Sequence, residues 1–179
     1  MNNNNYYYLI SSLPFLKLDI HEIPNELSFL KSAEQNISQK DFLYLKKVDL
    51  FRLELNCNIP EPLHSWYQWE GSLRNQLVRL RCQRLGLATQ KYIHEVKDCF
   101  FNEEIASTAV KETNPLLAER YLNKKRWKFL DELDSRYYFD LNKLIIYYLK
   151  IQLLKTNSRY SYKEGLTNYK KILSSETTS

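Results

Sequence analysis

Arg74, Arg79, Arg81 and Arg84 crowd the middle of the chain and form its concentrated basic feature. Cations at that density can grip phosphates, but a nucleic-acid-binding helix sets them on one stripe with exposed aromatics between them. At about 100° per residue, Arg79 points about 140° away from Arg74, so the four arginines do not share a stripe. Trp66 and Trp69 fall on a face that also carries leucines, which argues against an exposed stacking platform. The simpler reading places Arg74 and Arg81 at the border of an apolar stripe, paired with carboxylates of a neighbouring helix while their stems pack on apolar surface. Glu70, four residues before Arg74, gives the favourable order for a helical ion pair. Glu119 and Arg126 repeat the seven-residue spacing of Arg74 and Arg81. That match predicts a structural ion-pair network of Glu70, Arg74, Arg81, Glu119 and Arg126, in which Arg74 or Arg81 meets Glu119 and Arg126 reaches a carboxylate outside its own helix.

The remaining reactive residue types do not assemble into a site. Asp131, Glu132 and Asp134 resemble a paired-carboxylate centre, yet crowded at a helix end before Arg136 they read more simply as a solvated terminus. His21, His64 and His94 are isolated, with nothing repeating near them at metal-ligand spacing. Cys57, Cys82 and Cys99 suit neither a disulfide framework nor a zinc site and read as reduced core thiols of a cytosolic protein. No catalytic residue, cofactor site or metal site is expected, and the protein reads as a non-enzyme.

The elements that position these residues are helices. Only 3 Gly and 5 Pro in 179 residues leave few tight turns, and long stretches keep a 3.6-residue period. With 44% hydrophobic and 26% charged residues, the chain has the composition of a folded all-α protein. The organising stretch is WYQWEGSLRNQLVRLRCQRLG over 66–86, where Trp66, Trp69, Leu73, Leu77 and Leu80 fall within an arc of about 80°. These five, with Trp127, are the expected core anchors, and Gly86 is the expected stop. The net charge of +5 is mild, and alternating signs along the helices point to solvated surfaces. The longest apolar run, 141–154, is too short and too interrupted to span a bilayer, and the first residues lack the basic start of a signal peptide. A cytoplasmic protein is expected.

In chain order, 1–5 is a disordered leader, and 6–13 is a short helix or strand, read as helix. Residues 15–24 are a linker. Asn25 caps a helix over 26–35 with Leu27, Leu30 and Ala33 inward, and Ser38 with Asp41 opens another over 39–51 with Phe42, Leu45 and Val48 inward. The pair reads as a helical hairpin. After 66–86, a helix over 88–101 with Tyr92, Val96 and Cys99 inward is expected, then one capped by Asn102 and reaching about Lys111. Asn114 and Pro115 start a helix to about Leu133 with Leu117, Ala118, Tyr121, Leu122, Phe129, Leu130 and Leu133 on its apolar face. Asp140 caps the next, 141–155, whose apolar circumference puts it at the centre of the bundle. A last helix over 160–173 precedes a disordered tail, 174–179. Residues 6–173 form one all-α domain, either undivided or as lobes at 6–100 and 101–173.

The segments YYYLISSLP at 6–14, WEGSLRNQLVRLRCQRLG at 69–86, NPLLAERYLNKKRWKFLDEL at 114–133 and YFDLNKLIIYYLKIQLL at 138–154, with Gly165 beyond, together carry a resemblance. In their order they resemble an uncharacterised bacterial family, a domain of unknown function encoded with V/A-type ATPase genes, whose members are similar to short forms of the C/d subunit of that ATPase. Leu73, Arg74, Asn75, Gly86, Pro115, Glu119, Arg126, Trp127, Phe139 and Asp140 fall on the family's pattern, and Thr156 and Asn157 depart from it. The resemblance implies a bundle of packed helical hairpins, like that of the V/A-ATPase C/d subunit, at about half the length of the larger relatives. It also implies a non-catalytic role in ion or proton transport, with the central stalk and the membrane rotor ring as partners. Such a protein would be peripheral at the inner membrane through the complex. A basic helical nucleic-acid-binding module is the alternative, from a different class.

Overall fold

The structure is a computed structural model that describes residues 5–19, 22–53, 59–97, 99 and 101–158. The expected helix over 160–173, the tail, His21, Cys57 and Gly165 lie outside the described residues. The described residues form seven α-helices and no strand: α1 Tyr7–Ser12, α2 Glu26–Asn36, α3 Gln39–Lys46, α4 Glu61–Leu85, α5 Phe101–Lys111, α6 Pro115–Asp134 and α7 Leu141–Ser158, with one 3-10 turn at Thr89–Lys91.

Local signals start and stop most of them. The Asn25 side chain accepts from the Leu27 and Ser28 amides, Ser38 Oγ from the Asp41 amide, Asn114 Oδ1 from the Leu116 amide and Asp140 Oδ1 from the Lys143 amide. Each supplies an acceptor to a donor that a helix start leaves unpaired. α4 ends on Gly86 at φ 66, and the Leu87 amide donates back to Cys82 O at 3.0 Å, the Schellman arrangement. α4 also begins at Glu61, ahead of the expected Trp66, because Pro62 sits in the first turn, where a missing N–H costs nothing.

Two helices lie at the centre. α4 packs against α5, α6 and α7, and α7 packs against α2, α3, α4 and α6. Leu144, Ile145, Ile146, Leu149, Ile151 and Leu153 of α7 are all fully buried, as its apolar circumference requires. Side-chain ties give the directions. Glu70 meets Arg126 while the Trp66 and Trp69 rings meet Phe129, so α4 and α6 run antiparallel. Lys143 reaches Asp134 and Lys150 reaches Asp131, so α7 turns back along α6. Asn102 Nδ2 donates to Trp69 O and Arg84 Nη1 to Val110 O, which lays α5 along α4 in the same direction. The buried apolar residues form one core cluster, in which Trp66, Trp69, Leu73, Leu77 and Trp127 are buried and Leu80 packs at the edge.

Several expectations fail, and the reasons are tertiary. α3 stops at Lys46 rather than continuing to 51, and residues 48–53 form a strap across α4 and α7. Gln152 grips that strap, accepting from the Leu50 amide at 2.7 Å and donating to Val48 O at 2.9 Å, while Trp66 Nε1 donates to Leu50 O at 3.0 Å. Where a helix over 88–101 is expected, the described residues form a 3-10 turn, Thr89–Lys91, followed by a second strap, 93–97 with Cys99. Asn75 exchanges two hydrogen bonds with the His94 backbone, and Gln68 and Ser72 accept from the Lys97 and Cys99 amides. Backbone groups satisfied in this way have no need of a helix. Tyr92 consequently points outward, and Val96 and Cys99 are only half-buried.

Asn102 is not a cap. It lies inside α5, fully buried, tied to Trp69 O. Leu27 and Leu117 face outward, and Phe29 takes the inward place expected of Leu27, against Tyr147 and Tyr148 of α7.

Candidate functional site

The strongest concentration of buried charge sits where α4, α6 and the first strap meet. Glu70, in the middle of α4, is fully buried. Its carboxylate takes Arg126 as a fork, Nε to Oε2 at 3.0 Å and Nη2 to Oε1 at 3.1 Å. Arg74, one turn on, brings Nε to Oε1 at 2.9 Å. Arg126 turns its third nitrogen the other way, with Nη1 2.8 Å from Glu119 Oε1 and 2.9 Å from Asn123 Oδ1. Two carboxylates therefore balance two guanidiniums. Phe51 of the strap closes the cluster, with its ring 5.5 Å from Arg74 Cζ and 5.7 Å from Arg126 Cζ, and its carbonyl accepts from Arg74 Nη1 at 2.9 Å. Burial alone would lower the Arg126 pKa, but the adjoining Glu70 and then Glu119 outweigh it and hold the guanidinium above its ordinary value.

Glu70, Arg74, Glu119 and Arg126 are thus brought together, and Arg126 does reach a carboxylate outside its own helix. Two details differ from expectation. Arg81 is exposed and takes no part, because it stands three turns along α4 from the Glu70 carboxylate. Glu119 is met by Arg126 of its own helix rather than by Arg74 or Arg81, since the Glu70 fork turns the free Nη1 along α6 toward it. Asn123 was missed. Its spacing of three from Arg126 carried the signal, and its Nδ2 is buried without a hydrogen-bond partner.

A second cluster refines the reading of Asp131, Glu132 and Asp134 as a solvated terminus: Asp131 and Glu132 are exposed, but Asp131 and Asp134 also hold a lysine of α7. Lys150, buried on α7, places Nζ 2.8 Å from Asp131 Oδ1 and 2.9 Å from Asp134 Oδ2, over the Trp127 ring at 5.6 Å. Lys143 adds a contact to Asp134 Oδ1 at 2.7 Å. These carboxylates clamp α7 onto α6, while Glu132 remains a surface partner of Lys128.

In both clusters these acids and cations pair with one another. A polar groove of about 700 Å³, lined among others by Lys46, Asp49, Arg52, Gln152 and Lys155, runs beside the first strap, and Lys155 there is held by Glu26 at 2.6 Å. Cys82 and Cys99 are free thiols, the first buried. His64 and His94 are exposed, and the described residues hold no group of three metal-ligating side chains. No described helix is long and apolar enough to cross a membrane. No family model, curated protein or solved structure matches this chain.

Proposed function

We propose that the chain is a non-catalytic component of a bacterial V/A-type ATPase, similar to the C/d subunit, which helps couple the central stalk to the membrane rotor ring. The reading starts from the sequence resemblance. One observation carries it further: the residues on the family's pattern have architectural tasks in this fold. Leu73 lies in the core, Arg74, Glu119 and Arg126 share the buried ion-pair network, and Asn75 pins the second strap. Gly86 stops α4, Pro115 opens α6 and Asp140 caps α7. A set of positions spent on rigidity suits a protein that transmits torque through packed helices rather than one that turns over a substrate. In this reading the chain is cytoplasmic and reaches the membrane through the complex.

Co-purification tests the assignment. A tagged chain expressed in its own host is expected to bring down the catalytic subunits of the ATPase. Recovery of the tagged chain alone, from cells in which that ATPase is intact, rejects it.

A nucleic-acid-binding module is the second reading, favoured by the solvent-facing Arg81 and Arg84. Trp66 and Trp69 are buried and supply no stacking surface to it. Retention on RNA that weakens steeply with salt would support this alternative, and no retention at low salt removes it.

A further inference from the structure

The helix directions bring the last turns of α4 and α5 and the first turns of α6 to one end of the bundle, joined by the Arg84 Nη1 contact to Val110 O at 2.9 Å. Arg81, Arg84, Lys111 and Arg120 are exposed on these segments, and Lys91 on the 3-10 turn that follows α4. The cations outnumber the two acids beside them, the exposed Glu112 and the partly exposed Glu119. Glu119 is turned toward Arg126, and Glu112 accepts from the Asn114 amide at 3.2 Å. Among the cations stand apolar side chains that the core does not take: Leu85 is 71% exposed, Leu87 52%, Leu117 47% and Tyr92 55%. Gly86 contributes directly, because its left-handed turn sends Leu87 away from the bundle just past Leu85.

We propose that this end is a docking surface for an anionic phospholipid bilayer. Protruding leucines beside several cations match a plane of phosphates over hydrocarbon: the leucines enter the headgroup boundary and the cations remain with the phosphates. Tyr92 has the amphipathic ring favoured at that depth. A protein ligand holding exposed leucines would instead be expected to meet a groove, and the groove beside the first strap lies elsewhere, at Asp49 and Lys155. Nucleic acid would use the cations but not the leucines. The inference is independent of the ATPase assignment, since it concerns the purified chain alone.

Flotation of the full chain with phosphatidylcholine vesicles, with and without phosphatidylglycerol, tests it. Binding is expected only to the anionic vesicles, and it should fall sharply as added salt shortens the screening length. Reversing Arg81, Lys111 and Arg120 to Glu is expected to weaken binding about a hundredfold or more. The matched reversal of Lys17, Lys40 and Arg136, which lie near α1, the start of α3 and the α6–α7 turn, should leave most of it. Leu85→Ser with Leu117→Ser should cost about tenfold at unchanged net charge. Circular dichroism of each variant confirms that it is folded. Absence of binding to anionic vesicles at low salt overturns the proposal, as do equal losses from the two charge reversals. Indifference to the leucine changes, or retention on RNA without vesicle binding, overturns it as well.

Discussion

The α6–α7 hairpin and the two straps across α4 satisfy their backbone polar groups by opposite means. In the hairpin, each peptide bonds to its own helix, and Asn114 and Asp140 supply the acceptors that the helix starts lack. In the straps, local turns such as Asp49 Oδ1 accepting from the Phe51 and Arg52 amides are supplemented by side chains far away in the chain: Gln152 for Val48 and Leu50, Asn75 for His94, Ser72 for Cys99. The hairpin would keep its hydrogen bonds if its neighbours were removed. The straps would lose those long-range bonds at once, so they should be the first described parts of the bundle to open. The buried network joins the two kinds of region, with Arg126 from the hairpin, Glu70 from α4 and Phe51 from the first strap.

The largest expected effect comes from breaking that junction. Glu70→Ala leaves Arg126 in a buried site with only Glu119 beside it, and removal of one partner of such a pair costs about 3–5 kcal/mol. Urea unfolding should show this loss, together with early exposure of the Phe51 strap in hydrogen exchange. The double replacement Glu70→Leu with Arg126→Met removes both charges and should recover most of the stability. A double variant as weak as the single one would mean that the network contributes through shape rather than charge.

The strap ties come next. Gln152→Ala leaves Val48 O and the Leu50 amide without their partner, and Asn75→Ala does the same to both backbone groups of His94. Each is expected to cost about 1–3 kcal/mol. The two should differ in place: hydrogen exchange accelerates at Leu50 for the first and at His94 for the second, while amides within α6 and α7 keep their protection. Loss of protection spread evenly over α7 would erase the distinction between strap and hairpin.

This division also explains what could be read from the sequence. The helix starts at Asn25, Ser38, Asn114 and Asp140 are written in adjacent residues, as is the stop at Gly86. The stripe from Trp66 to Leu77 is set by period alone. Glu70, Arg74, Glu119 and Arg126 could be grouped because their spacings follow the helix repeat. The straps could not, because an apolar residue such as Val96 or Tyr92 at helical spacing gives no hint that Asn75 already holds the neighbouring peptide. Nor does Asp131 reveal that Lys150 lies across from it, a contact set by how α7 turns back on α6.

The hairpin side offers a pH test. Burial pushes the Tyr147 and Tyr148 hydroxyls up from 10 to about 12, with the Glu26 carboxylate adding to the rise at Tyr148 and Gln152 opposing it. The folded state therefore holds these protons more tightly than the unfolded chain. Their contribution is complete below pH 10 and is lost as pH rises toward about 12. Denaturant midpoints should fall across that window. Tyr148→Phe removes the hydrogen bond to Glu26, 2.7 Å long, and costs about 1 kcal/mol at neutral pH, yet it should flatten the alkaline fall. A variant that loses stability in parallel with the wild type up to pH 12 would show that Tyr148 is not one of the groups responsible.

The smallest effect is the sharpest, because its sign depends on the strap alone. Gly71 lies inside α4, where alanine would ordinarily stabilise the helix by about 0.5–1 kcal/mol. A Cβ at that position would fall 2.9 and 3.2 Å from the two Val96 methyls of the second strap and 3.4 Å from Leu53 Cδ1 of the first. Gly71→Ala is therefore expected to cancel its helical gain by pushing Val96 outward and straining the Asn75 grip on His94. Val96→Ala removes the obstacle. In the Val96→Ala background the same Gly71→Ala change should become stabilising by about 0.5–1 kcal/mol. A Gly71→Ala effect of the same size and sign in both backgrounds would mean that the second strap yields without cost. The hairpin and the strap would then differ in hydrogen-bond partners but not in rigidity.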